Sequence, residues 1–157
     1  MGKWLKIVTV VVLAVMLVVM VVGCVGNNGS SNGSTIVTFP DPNLEAAIRE
    51  AISIPEGPIY TSDVEGLTYL QAPSKGIADL TGLEHCTSLE TLVLFDNQIN
   101  DISPLANLIS LTGLALDKNQ ISDISPLANP VRLTWLWLRG NQIGDISPLE
   151  NLTNLGN

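Results

Sequence analysis

The sequence is short of the residues that do chemistry. Its 157 residues hold one histidine, His85, and two cysteines, Cys24 and Cys86. Two cysteines cannot make a disulfide framework, and with one histidine they do not form a His/Cys metal cluster. Seven lysines and arginines stand against fifteen aspartates and glutamates, for a net charge of -8. Affinity for nucleic acid comes from basic side chains that neutralise phosphates, so nucleic acid is excluded as a partner. A glycine-rich phosphate loop is also missing. The chain therefore reads as a non-enzyme, with no catalytic residues, no cofactor and no metal.

Long apolar runs are scarce as well. The one present, Ile7 to Val22, is broken only by Thr9 and follows Lys3 and Lys6. Its 16 residues fall short of the roughly 20 that a spanning helix needs, so residues 1–23 read as an export signal; the alternative is an uncleaved signal anchor. "VVGC" at Val21–Cys24 resembles the lipobox of bacterial lipoproteins, which implies that Cys24 becomes the lipidated first residue. Residues 24–35, rich in Gly, Ser and Asn, predict a flexible tether. Without Lys3 and Lys6 the rest carries five basic and fifteen acidic residues, a net charge of -10.

What the sequence does have is a period. "LETLVLFDNQINDISPLANLIS" from Leu89 returns from Leu111 and again from Leu133, 22 residues apart each time. A degenerate copy begins at Leu67, and Leu155 starts a fifth, so repeats occupy residues 67–157. Each unit can bury its apolar side only against neighbouring units, so stacked copies share one core. In "TLVLF" the period-2 alternation predicts a strand with Leu92 and Leu94 inward. Leu136 and Leu138 take the same core positions two repeats later. Asn97, Asn119 and Asn141 follow the strands, where turning backbone groups need partners that an amide can supply. Lys75 replaces this asparagine in the first copy and predicts a looser terminal repeat. Cys86 shares the register of Leu108, Pro130 and Leu152, that of a small buried hydrophobe, which turns it away from His85.

The frame L-x-x-L-x-L-x-x-N-x-I-x-x-I-x-x-L resembles the bacterial 22-residue leucine-rich repeat of internalin-like surface proteins. Leu92, Leu94, Asn97, Ile99, Ile102 and Leu105 carry the resemblance, with their equivalents one and two periods on. It implies an α/β solenoid: a parallel sheet on the concave face, short helical or 3-10 turns on the convex side, and a helical cap before the repeats. Residues 36–66 fit that cap. Leu44, Ala47, Ile48, Ala51 and Ile52 form one helical stripe, Asp41 and Pro42 mark its start, and Glu45 pairs with Arg49. "SDVE" at Ser62–Glu65 offers a capping box.

In "DISPL", Ser103, Ser125 and Ser147 are N-cap candidates, each followed by a proline. Asp79, Asp101, Asp123 and Asp145 form a carboxylate column that either caps local turns or holds calcium; capping is the simpler reading.

Strand parity decides which side chains are free to bind. It turns Tyr69, Phe95, Asp117, Trp135, Trp137 and Arg139 outward onto the concave face, with a shallow depression expected where Gly113 and Ala115 adjoin the two tryptophans. An exposed aromatic cluster of this kind predicts a recognition surface. The expected protein is thus a non-enzymatic binding module for a protein or glycan ligand, lipid-anchored through Cys24 on the extracellular face of a bacterial or archaeal membrane. Alternatives are a structural spacer, a repeat portion of a larger surface protein, or a calcium-dependent module. Weak self-association through the C-terminal repeat is a further expectation.

Overall fold

The computed structural model describes residues 34–129 and 132–156. The export segment, Cys24 and all of the expected tether except Ser34 and Thr35 lie outside the described residues. Among the described residues, no helix is long and apolar enough to cross a membrane.

The domain opens with a pair of short antiparallel strands, β1 (Ile36–Val37) and β2 (Ile59–Tyr60), which flank helix α1 (Pro42–Ile52). Ser34 and Thr35 belong to this unit and not to a free tether. The Thr61 N–H donates to the Thr35 carbonyl at 2.9 Å, and the Ser34 hydroxyl meets that of Ser62 at 3.0 Å. These contacts also move the expected capping box. The one-turn helix α2 starts at Thr61, and Asp63 accepts the Tyr60 N–H at 2.7 Å, so Ser62 lies inside the turn.

Helix α1 starts where sequence punctuation puts it. Asp41 is its N-cap, with Pro42 in the first turn, where a missing N–H goes unmissed. Leu44 and Ile48 are fully buried and Ala47 and Ile52 half-buried, but Ala51 is exposed, so the apolar stripe is narrower than the sequence suggests. Arg49 pairs with Glu45 at 2.8 Å and donates to the Ile54 and Gly57 carbonyls, which ties down the residues after the helix.

The repeats build one parallel sheet in the order β3 (Tyr69–Gln71), β4 (Thr91–Val93), β5 (Gly113–Ala115) and β6 (Trp135–Trp137). Register is constant: Leu70, Leu92, Leu114 and Leu136 lie side by side. Leu92, Leu94, Ile99, Ile102 and Leu105, with their partners in the next repeat, form a single apolar core. Opposite the sheet run four 3-10 turns, Leu83–His85, Ser103–Leu105, Ser125–Ala128 and Ser147–Leu149. The serines do not cap them as expected. Each aspartate two residues earlier accepts the serine N–H at 2.8 Å, and the serine hydroxyl returns to the other carboxylate oxygen at 2.9 to 3.0 Å.

The looser repeat lies at the opposite end from the one Lys75 suggested. In the first copy Leu70, Ala72, Ile77, Leu80 and Leu83 are buried, because α1 covers them and Asp41 bonds across to them. One Asp41 oxygen accepts the Asn43 and Leu44 N–H groups, and the other accepts those of Ala78 and Asp79 at 2.7 and 3.2 Å. In the fourth copy Leu136, Leu138, Ile143 and Leu149 are only half-buried. Ile146 is 71% exposed where its equivalents Ile102 and Ile124 are 1%. Leu136 is therefore no full core residue: like Leu138, Ile143, Leu149 and Leu155 it is only partly buried where it packs against the core.

Asp41 gives the cap a signature in pH. Burial raises its pKa, but the N–H donors of Ala78, Leu44, Asp79 and Asn43 outweigh that and hold it below the ordinary carboxylate range. The sign follows: the folded carboxylate binds its proton less readily than the unfolded one, so its stabilisation is full above about pH 4 and fades as pH falls through the folded value. Asp41→Asn keeps an N-cap acceptor but not a second oxygen for Ala78 and Asp79. Urea unfolding at neutral pH is expected to show a loss of about 1 to 3 kcal/mol that shrinks towards pH 3; a pH-independent loss would assign the effect to packing.

Candidate functional site

The outward positions of the sheet fall into rows set by register. Tyr69, Thr91, Gly113 and Trp135 form one row, and Gln71, Val93, Ala115 and Trp137 the next. Beyond the strands the ladder continues through the N–H groups of Asp96 and Lys118, which donate to the carbonyls of Asp117 and Arg139. This places Pro73, Phe95, Asp117 and Arg139 in a third row.

The two tryptophans do different jobs, contrary to the expectation of a matched exposed pair. Trp137 is 57% exposed, whereas Trp135 is half-buried. A Cβ placed on Gly113 would meet the Trp135 ring atoms at 2.1 Å, so the indole lies flat on the glycine backbone next door. Ala115 is fully buried. The expected depression over Gly113 and Ala115 is thus filled by the protein's own side chains. The indole centroids are 5.4 Å apart with planes at 48°, leaving no slot between the rings.

The open hollow lies one row further on. It measures about 870 Å³ and is walled by Phe95 and Trp137, with Asp117, Lys118, Arg139 and Gly140 around it and Leu136 and Leu138 below. Four of the six expected face residues, Phe95, Asp117, Trp137 and Arg139, meet here. Trp135 supports the site from beside it. Tyr69 stands at the far corner, bonded to Gln71 on its own strand, beside the C-terminal half of α1.

Lys118 and Gly140 were not legible from strand parity because they sit in the turn after the strand. Ser74, Asp96, Lys118 and Gly140 recur every 22 residues, and all four have positive φ, from 52° to 75°. A single glycine in that column was the available signal, since glycine alone adopts this conformation freely. Gly140 lies against Lys118, whose Cγ would be at ordinary contact distance, 3.5 Å, from a Cβ at 140. Asp117 accepts the Arg139 N–H at 2.8 Å, so one of its oxygens is already engaged. Among the described residues, neither Lys118 nor Arg139 has an ion-pair partner.

Behind the face, the asparagine column holds the turns. Asn119 accepts the Ile99 N–H at 3.1 Å and donates to the carbonyls of Leu94 and Leu116, both at 3.0 Å, linking two repeats. Asn97 and Asn141 repeat the pattern.

The remaining reactive groups do not converge. Cys86 is buried, and desolvation first, then the charge of Glu84, pushes its thiol up to about 12. His85 faces Glu84 at 3.9 Å and is partly exposed. The pair is no nucleophile, since a thiol held that high supplies no thiolate. Along the aspartate column, backbone and side-chain hydrogen bonds from Ser125 and Ser147 lower the pKa of Asp123 and Asp145. Among the described residues no group of three acidic, His or Cys side chains is placed to hold a metal ion.

Known proteins share this architecture. A family model described as leucine-rich repeats (two copies) matches residues 87–129. The solved internalin inlF of Listeria monocytogenes aligns over 74% of this chain and 35% of its own, with 41% identity and a TM-score of 0.72. The described domain is an internalin-like leucine-rich repeat. Internalin C2 of the same organism aligns over 74% of this chain and 62% of its own, at 34% identity and a TM-score of 0.59. A structure of the CBM51-2 and INT domains of ZmpB from Clostridium perfringens matches 56% of this chain and 19% of its own, at 33% identity and a TM-score of 0.51. The chain thus spans about a third of one internalin's length and less than two thirds of the other's. The search of curated proteins found no match.

Proposed function

We propose that this internalin-like domain is a non-catalytic protein-binding module, displayed outside the cell by an amino-terminal lipid anchor at Cys24, whose ligand seats in the hollow beside Trp137. The observation that carries the reading is the hollow itself. A large aromatic ring left 57% exposed beside Phe95 is costly in water, and such patches mark interaction sites. Aromatic anchors with an arginine nearby are the side chains that dominate binding energy. A protein ligand is favoured over a sugar because the two indoles pack on each other and offer no paired platform. Calcium has no part in this proposal, since both oxygens of Asp101, Asp123 and Asp145 are met by serine two residues on.

Trp137→Ala removes the exposed ring and leaves Trp135 seated on Gly113. The immobilised chain is expected to lose ligand capture by at least tenfold, the range of a binding anchor, with its thermal melting unchanged. Ser125→Ala, on the opposite side of the repeats, should keep full capture. Equal capture by the wild type and Trp137→Ala would remove the sheet face as the site. Capture abolished by glycosidase treatment of the ligand would replace the protein with a glycan.

A further inference from the structure

Resting on that reading, we infer that the hollow selects a partner segment in which a carboxylate side chain neighbours an aromatic or branched apolar one. The argument starts from charge. The described domain carries five basic residues, Arg49, Lys75, Lys118, Arg132 and Arg139, against fifteen acidic ones. Two of those five line one hollow, and Arg49, by contrast, is paired with Glu45. Lys118 reaches it from a left-handed turn, and Arg139 from two residues beyond the end of β6. The single carboxylate of the hollow, Asp117, spends one oxygen on the Arg139 backbone, not on its guanidinium. The local balance is one positive charge on a strongly negative surface.

A basic ligand would be drawn to nearly every other part of this domain and repelled here. An acidic one meets the reverse, since cations that have no ion-pair partner among the described residues, beside an apolar wall, offer the complement that orients docking. The guanidinium supplies a planar fork that matches a carboxylate, while the ammonium acts as a second point charge. Phe95 and Trp137 take the adjoining apolar side chain. The same charges disfavour a second copy of this chain as occupant, because its net charge would repel the approach.

The test is selection of a randomised peptide library on the full-length chain, on Lys118→Gln/Arg139→Gln, on Trp137→Ala, and on Lys75→Gln as a distant-charge control. Peptides enriched on the wild type are expected to place Asp or Glu next to an aromatic or branched residue. One such peptide, synthesised, should bind the double-glutamine variant about two- to thirtyfold more weakly, the sum of two exposed ion pairs. It should also weaken as salt is raised, and bind Lys75→Gln normally. Restoring charge with Arg139→Lys on the Lys118→Gln background should recover part of the loss, which separates charge from misfolding. Enriched peptides that are neutral or basic, or an absence of enrichment, overturn the inference. If neutral peptides are enriched and lost on Trp137→Ala, the sheet-face site stands without its charge selectivity; if Trp137→Ala retains every peptide, the site itself is wrong.

Discussion

Asn119→Ala is expected to cost about 3 kcal/mol or more, out of proportion to the few atoms removed. The Asn119 amide closes three buried backbone groups at once: the N–H of Ile99 and the carbonyls of Leu94 and Leu116. Leaving a buried polar group unpaired costs about 1 to 3 kcal/mol each, and water cannot enter a side chain that is 6% exposed. Asn141 makes the same bonds but is half-buried, at the more open end of the array. Asn141→Ala should therefore lose less than half as much. Urea unfolding of both variants checks the ranking. Equal losses would mean that local turn preference, and not burial of the amide's partners, sets the cost.

The second large effect separates two leucines that the sequence makes equivalent. Leu92 is fully buried between repeats on both sides, and Leu92→Ala should cost about 2 to 5 kcal/mol in lost transfer energy and residual cavity. Leu136 is half-buried, so Leu136→Ala loses less apolar area and opens no closed cavity; at most about 2 kcal/mol is expected. Thermal and denaturant melts of the two variants give the comparison. If Leu136→Ala proves as costly as Leu92→Ala, the degree of burial does not set the cost at this position.

These two predictions mark how far the sequence reaches. A 22-residue period with period-2 alternation determines which leucines face in, since a slip of one residue would expose every one of them. Strand order, register, the asparagine positions and the start of α1 at Asp41 follow from the same pattern. The site was half legible for a related reason. Parity brings Phe95, Asp117, Trp137 and Arg139 to one face, but parity ends with the strand, and Lys118 enters through a left-handed turn that its own identity does not announce. Trp135 lies on Gly113 because a neighbouring strand happens to lack a Cβ, a tertiary fact that no single repeat contains. The second oxygen of Asp41 bonds to residues 37 and 38 positions away, beyond any local rule. In "DISP" the aspartate caps its local turn as expected, and the serine is no N-cap because the carboxylate two residues back takes up its N–H and hydroxyl.

The contact between Trp135 and Trp137 has an optical consequence. Two indoles with centroids 5.4 Å apart and planes tilted by 48° couple their excited states, so their ultraviolet circular dichroism belongs to the pair and not to either ring. One member is fixed on Gly113 and the other borders the hollow. Anything that turns Trp137 or dries its exposed face must change the coupled signal while Trp135 stays put. The molecule therefore carries an intrinsic, label-free gauge of occupancy beside its candidate site.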